Sequence, residues 1–418
     1  MRPGDNLFSV SIVAVEAHTG KYRWHFQQVH HDIWDYDSPN PVVLFDAPVN
    51  GVVRKALVEV SKTGWAYILD RATGKPLLGI EERPVMQESR QATAATQPYP
   101  IGDAIVPQSI DIPPEGSSIV PSGASVVNDG KIFTPFWTDP ITMKPGTMGG
   151  ANWPPSSYDP DTHVLYVCAT DRINSFSVQA ELPSKVAPND VYMGGRFVQA
   201  AAGDRGIFAA LDLTTNKLAW RQGWREICYS GSVVTAGGLL FVGRNDGRLT
   251  ALDKSNGRSL WEFRTDAGVN TTVTTFEWHG DQRVVVHAGG GVFAGAPRGD
   301  GIWMFSLKGT MKSLPAAVTT TGGGGGPGGP PRAQAPAAAR PISTDHGRQL
   351  YAEACVACHG EQGDGGHGGG PTLIAGLPAD TVVAVAGAGR NNMPPFGRVY
   401  SDPDLRDIAA YITTILAK

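Results

Sequence analysis

Cys355-Val356-Ala357-Cys358-His359 places two thiols three positions apart with an imidazole directly behind the second. That is the arrangement for covalent attachment of a c-type haem: the thiols bond the porphyrin vinyl groups and the histidine reaches the iron. A structural zinc site would need a second ligand pair at similar spacing, and the only other cysteines, Cys168 and Cys228, lie far upstream. A redox dithiol is the other reading of the pair. Met393, followed by Pro394-Pro395, is the candidate second iron ligand. A thioether raises the potential and closes the iron to oxygen chemistry, and the prolines stiffen the strap that presents it. His367, in the glycine-rich run behind the haem motif, is the rival ligand.

These residues need a small scaffold, and residues 345–418 read as an all-α domain. Asp345 to Tyr351 opens a helix that runs into the haem motif. Asp402 to Ile412 is a second helix, capped by Ser401 or Asp402, with Leu405, Ile408, Ile412 and Ile415 on its buried face. Over residues 341–418 five Lys/Arg stand against eight Asp/Glu, a net −3 that suits a positively charged redox partner. Residues 313–344 are of another kind: a threonine triplet, five consecutive glycines from Gly322 to Gly326, then proline and alanine. Such a segment cannot build a core and is expected to act as a flexible linker of roughly 30 Å mean span.

Upstream of the linker, residues 1–312 are rich in glycine, tryptophan and short β-branched runs. One unit recurs. It runs from Ile12 through Thr19-Gly20-Lys21 to Trp24, from Tyr67 through Asp70 and Thr73-Gly74-Lys75, from Phe208 through Asp212 and Asn216-Lys217 to Trp220, and from Leu249 through Asp253 and Asn256-Gly257 to Trp261. Each copy reads as a strand, a tight turn and a second strand closing on an aromatic, the pattern of propeller blades. Most of the repeated Asp and Trp residues are then scaffold. The long interval between Lys75 and Phe208 is where insertions, and a site, are expected. Cys168 and Cys228 would pair in oxidising surroundings if the fold brought them close, a distance that spacing does not set; their apolar flanks fit buried strand thiols as well, and they are read here as free. A net charge of −4 gives no basic footprint for nucleic acid, and no apolar run approaches a membrane span.

Several motifs occur in one order: Pro3 to Phe8, then His30-His31-Asp32-Ile33-Trp34-Asp35-Tyr36-Asp37, then Leu69 to Lys75, then Gly149-Gly150-Ala151-Asn152-Trp153-Pro154-Pro155. In these the chain resembles the pyrroloquinoline-quinone (PQQ)-dependent dehydrogenases, and its tail resembles that of the quinohaemoprotein members. The resemblance implies an all-β propeller of the quinoprotein dehydrogenase type, about the C-terminal half of eight blades, joined to a small all-α cytochrome c domain. It implies haem c, PQQ and calcium as cofactors. Asp35 falls on the family's catalytic base, with a part in calcium binding. Lys62 falls where sugar-oxidising members carry lysine and alcohol-oxidising members often carry arginine, a cation able to bond the quinone oxygens. Asn152, Trp153 and Tyr229 fall at PQQ contacts, Tyr229 where relatives commonly carry tryptophan. Read without the family, Asp32, Asp35 and Asp37 are turn acids, Asn152 a turn former and Lys62 a surface lysine at a strand end.

The expected function is oxidation of an alcohol, polyol or aldose with PQQ, with electrons leaving through the haem to an external cytochrome or quinone pathway in the periplasm. The motifs of the family's first half and an export signal do not precede Met1, which reads as truncation. A partner chain supplying the missing blades is the second account, and association of the halves of two copies the third. The competing function is a non-catalytic electron-transfer subunit whose partial propeller docks such a chain.

Overall fold

The computed structural model describes residues 4–111, 120–179, 194–199, 205–291, 293–315, 340–365, 370–374, 376–390, 393 and 395–416. The central part of the expected linker, His367, Asn392 and Pro394 lie outside the described residues.

The repeated hairpins form where the sequence places them, and the turn acids explain why. Asp70 accepts hydrogen bonds from the backbone N–H of Ala72 and Thr73 and from the Thr73 hydroxyl (3.0, 2.9 and 2.9 Å). Asp212 does the same for Thr214, and Asp253 for Ser255. A carboxylate that satisfies its own turn's amides fixes the reversal locally, so these acids are scaffold.

Every named strand pair is antiparallel. The chain begins with the hairpin β1 (Ser11–Val15) and β2 (Tyr22–Gln27). A three-stranded sheet follows, β3 (Val43–Val49), β4 (Val52–Val60) and β5 (Ala66–Asp70), then the hairpin β6 (Ile80–Pro84) and β7 (Thr96–Pro100). The long insertion contributes the sheet of β8 (Ile141–Met143), β11 (Asn174–Val178) and β12 (Gly195–Gln199). Interleaved with it is the four-stranded blade of β9 (Ser157–Asp159), β10 (Val164–Asp171), β13 (Arg205–Asp212) and β14 (Lys217–Trp224). Then come β15 (Ser232–Val234), β16 (Leu239–Gly243), β17 (Arg248–Asp253) and β18 (Ser259–Arg264), and last β19 (Thr274–Trp278), β20 (Asp281–Ala288) and β21 (Gly301–Phe305). This is a propeller-type fold.

Two hairpins, those ending in Trp24 and Trp220, lock onto a later turn through that tryptophan. A Cβ on Gly74 (φ +71°) would lie 2.5 Å from the Trp24 ring, and one on Gly257 (φ +76°) 2.9 Å from the Trp220 ring. Only glycine allows both the left-handed turn and the ring lying against it. The first hairpin lacks this partner: nothing lies within 4 Å of a Cβ on Gly20. Its outward face exposes Val13, Val15 and Tyr22. The last sheet is its counterpart, packing Val284, Val286, Ala288, Trp303 and Phe305 inward and exposing Phe276, Trp278, Ile302 and Met304.

Cys168 and Cys228, read from sequence as free thiols, form a disulfide with a Cα–Cα distance of 5.3 Å. The meander β10–β13–β14 folds back on itself, and the segment behind Trp224 crosses the strand ends, where the Thr170 hydroxyl bonds the Cys228 carbonyl (3.1 Å). Pairing depends on that crossing, which spacing does not reveal.

The C-terminal unit is helical: α1 (Thr344–Ala354), α2 (Val356–His359), α3 (Ala379–Ala388) and α4 (Asp402–Tyr411). Ser343 caps α1, and Ser401 with Asp404 forms a reciprocal capping box on α4. Leu405, Ile408 and Ile412 are buried as expected, but Ile415 is 51% exposed. The chain widens into a π turn over Ile412–Leu416, which rotates Ile415 off the apolar stripe. Among the described residues no helix is long and apolar enough to cross a membrane.

Candidate functional site

The first locus is built on the loop between β2 and β3. Asp32 is partly buried, and its carboxylate accepts from the backbone N–H of Trp34 and of Tyr36, both at 2.9 Å. Burial pushes its pKa up to about 6 against the downward pull of those amides. Trp34 and Tyr36 stack at 5.9 Å and anchor inward, the indole N–H donating to the Thr134 carbonyl (2.8 Å) and the phenol to the Pro145 carbonyl (2.6 Å). With the aromatics pinned inside, Asp35 (φ +64°) and Asp37 turn the other way, towards the surface.

There they meet Lys62, from the turn after β4. Its ammonium lies 3.0 Å from Asp35 Oδ2 and also pairs with Asp37 Oδ1. Burial lowers the ammonium's pKa, but the two carboxylates outweigh it and hold Lys62 charged. The Asp35 carboxyl, though 61% exposed, is raised by partial desolvation; Lys62 pulls it back, and neighbouring Asp37 pushes it up again. A carboxylate left basic and fixed beside a cation suits proton abstraction.

The Gly149-Gly150 pair closes onto this turn, Gly150 N–H bonding the Lys62 carbonyl (2.8 Å) and Ala151 N–H the Ser61 carbonyl (3.1 Å). A Cβ on Gly149 would sit 2.3 Å from the Lys62 side chain, so the approach needs glycine there. It brings Asn152 and Trp153 to the same locus. The Asn152 amide is committed to the backbone, donating to the Met148 carbonyl (2.9 Å) and accepting from Trp153 N–H (2.8 Å). These bonds hold the turn that presents Trp153. Trp153 stands edge-on to Tyr229 at 5.7 Å. Burial raises the Tyr229 phenol, and its contact with Trp153 and the nearby charge of Lys62 work against this. The structure thus gathers all five expected residues, Asp35, Lys62, Asn152, Trp153 and Tyr229.

Three further contributors were not singled out from sequence. Asp37 is the second carboxylate on Lys62, signalled by the D-x-x-D-x-D spacing from Asp32. Asn40 clamps the loop to the Asn152 turn, donating to the carbonyls of Asn152 (2.9 Å) and Pro154 (2.7 Å). Glu59, buried in β4, has its pKa pushed up to about 8 by burial, with Gln28 opposing and Asp37 adding. Its folded-state pKa exceeds the unfolded value of 4.5, so Glu59 folds as the neutral acid. Stability is full at low pH and is lost as pH rises from there through about 8. Glu59→Gln is therefore expected to gain on the order of 3 kcal/mol at pH ~8 and under about 1 kcal/mol at pH ~5, read from urea midpoints at both pH values.

The second locus is the haem motif. Cys355 and Cys358 are free thiols. His359 is buried and its Nδ1 lies 2.8 Å from the Pro371 carbonyl. A carbonyl only accepts, so Nδ1 carries the proton and Nε2 is left for a metal. Met393 exchanges backbone hydrogen bonds with Arg390 and packs against the helical core that contains Cys355, Phe396 and Tyr400. Among the described residues the buried Tyr400 phenol oxygen has no hydrogen-bond partner. Two free thiols, an available imidazole nitrogen, a core-facing thioether and an orphaned phenol fit a covalently bound haem.

Calcium is served less fully. Asp35 and Asp37 offer hard oxygens, but Lys62 already binds both. Among the described residues the acid-rich group with metal-like spacing is His346, Asp404 and Asp407 in the helical unit, where Arg340 pairs with both acids.

Residues 1–191 match the family model described as glucose/ethanol/alcohol dehydrogenase, beta-propeller domain. Residues 188–322 match the model of outer membrane protein assembly factor BamB, and residues 343–412 that of cytochrome c oxidase, cbb3-type, subunit III. Lupanine 17-hydroxylase [cytochrome c] of a Pseudomonas species is 30% identical over 98% of this chain and 56% of its own length. The quinohemoprotein alcohol dehydrogenase of Comamonas testosteroni is 29% identical over 98% of this chain and 55% of its own. That enzyme's crystal structure superposes with a TM-score of 0.58 at 26% identity, covering 99% of this chain and 58% of the other. The structure of ADHIIG from Pseudomonas putida gives 0.58 at 25% identity, with 99% and 59% covered. The chain spans a little over half the length of these relatives. It is built of a PQQ-dehydrogenase β-propeller domain and a cytochrome c domain, and its homologues are the quinohaemoprotein alcohol dehydrogenases.

Proposed function

We propose that this chain forms the proton-abstracting and electron-exit parts of a periplasmic quinohaemoprotein dehydrogenase that oxidises an alcohol. The observation that carries the reading is the Asp35–Lys62–Asp37 cluster beside Trp153 and Tyr229 in a chain that ends in a haem-binding domain. Asp35 accepts the hydroxyl proton, and Lys62 holds Asp35 in place while offering a cation to a developing negative charge. Trp153 and Tyr229 supply an aromatic wall. Cys355 and Cys358 would hold the haem, and His359 through Nε2 and Met393 through sulfur would serve its iron. When bound, PQQ supplies a two-electron acceptor for hydride, and the haem an iron centre that releases electrons singly. The buried disulfide agrees with an oxidising compartment.

The relatives' printed names favour an alcohol over the sugar suggested by Lys62. The test adds PQQ, calcium and either ethanol or glucose to the haem-loaded chain and follows haem reduction by absorbance. Reduction with ethanol is expected, and Asp35→Asn should slow it at least about a hundredfold with the oxidised haem spectrum unchanged. A haem that stays oxidised with both substrates transfers the chain to the alternative, a carrier subunit that docks a partner.

A further inference from the structure

The loop between β20 and β21 joins the two loci. Its Ala294 and Ala296 are buried with Ile227, and Met148 and Tyr229 pack against them. Tyr229 is the ring that meets Trp153 at the first locus. Two residues beyond Ala296, Arg298 leaves the propeller for the helical unit. Its guanidinium stands over the Tyr400 ring, 4.7 Å from the centroid, and pairs with the Glu353 carboxylate. Glu353 lies two residues before Cys355, and Tyr400 seven after Met393, so Arg298 touches both chain segments that carry the haem-binding residues.

The backbone around Arg298 is held. The Pro297 carbonyl accepts from Gly268 N–H (2.8 Å), and Gly299 N–H donates to the Gly289 carbonyl (3.3 Å). The cation is therefore presented by a fixed support to an acidic domain of net −3. Neither contact is strong alone: the ion pair is partly exposed, and such pairs are screened by water and salt. The Gly/Pro/Ala-rich tether changes the requirement. A domain tethered at millimolar effective concentration needs only a weak contact to spend most of its time docked.

We propose that Arg298 is the docking contact by which the propeller holds its own cytochrome domain, recognising the carboxylate of Glu353 and the aromatic face of Tyr400, against the loop that packs on Tyr229. Its effect on electron delivery rests on the dehydrogenase reading above; the docking itself does not. Removing the guanidinium loses the cation–π contact and the ion pair together, and the docked-to-undocked ratio falls about fivefold to tenfold. High salt acts on the same contact in the same direction.

The test uses the full haem-loaded chain and three variants: Arg298→Ala, Arg298→Glu, and Arg298→Glu combined with Glu353→Arg. Small-angle scattering reads docking without any substrate. Arg298→Ala and Arg298→Glu are expected to show a larger radius of gyration than the parent chain, and the charge-reversed pair to return towards it. The rate of haem reduction with PQQ, calcium and ethanol follows the docked fraction, so it should fall about twofold in the single variants and recover in the reversed pair. Scattering curves that coincide for the parent and both single variants overturn the proposal, as does an expansion that the reversed pair fails to correct. If the curves respond as expected while no chain's haem is reduced, docking stands and the dehydrogenase reading falls.

Discussion

Changing Cys355 and Cys358 to alanine is expected to remove covalent haem completely. Denatured wild-type protein should keep its haem through a denaturing gel and stain for haem peroxidase, whereas the double variant should show no stained band. The reason is chemical: attachment needs thiols, and the two here are unpaired and stand in the motif that places His359 directly behind them. His359→Ala keeps the thiols, so it should retain a stained band while its spectrum loses the signature of an axial imidazole. The Cys355 side chain also belongs to the apolar core with Tyr351, Phe396 and Ile412. The double variant should therefore lower the helical unit's melting temperature. A stained band of wild-type intensity in the double variant would refute covalent attachment at this motif.

The Cys168–Cys228 disulfide is expected to contribute the largest single covalent increment to propeller stability. It closes a loop over a sequence separation of 60 residues, and in the chain-entropy account such a closure contributes about 4 kcal/mol. Both cysteines are buried, so the bond is shielded from mild reductant in the folded state. The double change to alanine should shift the urea midpoint down by that increment divided by the slope of stability against urea concentration. Dithiothreitol should shift the wild-type midpoint to the same place once unfolding exposes the bond, and should leave the variant's midpoint unmoved. Equal midpoints for wild type and variant without reductant would show that the two sulfurs are not paired in the folded protein.

What sequence reasoning reached was set by short-range physics. The haem motif is legible because attachment chemistry demands thiols and imidazole within five consecutive residues. The hairpins are legible because Asp70, Asp212 and Asp253 bond amides two or three positions away. The disulfide was missed because it depends on a segment that crosses the ends of β10 and β13, a placement no local rule sets. Asn40 was missed for the same reason, since its partners lie more than a hundred residues downstream. Asp37 stood in plain view, but a third acid in a turn announces no role until Lys62 is seen between it and Asp35. Ile415 kept the α-helical period on paper, and a π turn took it out of the core. Arg298, a single arginine in a glycine-rich loop, carries no pattern of its own.

The bare turn of Gly20 and the uncovered aromatics of the last sheet bear on how this polypeptide behaves in a tube. Val13, Val15 and Tyr22 at one end and Phe276, Trp278, Ile302 and Met304 at the other give each molecule two sticky poles, each backed by an antiparallel sheet. Objects adhesive at both ends join head to tail, and such a series has no natural stopping point unless its angles bring it back on itself. Solutions of this chain alone should therefore scatter light increasingly with concentration, and mild detergent should clear them by wetting the poles.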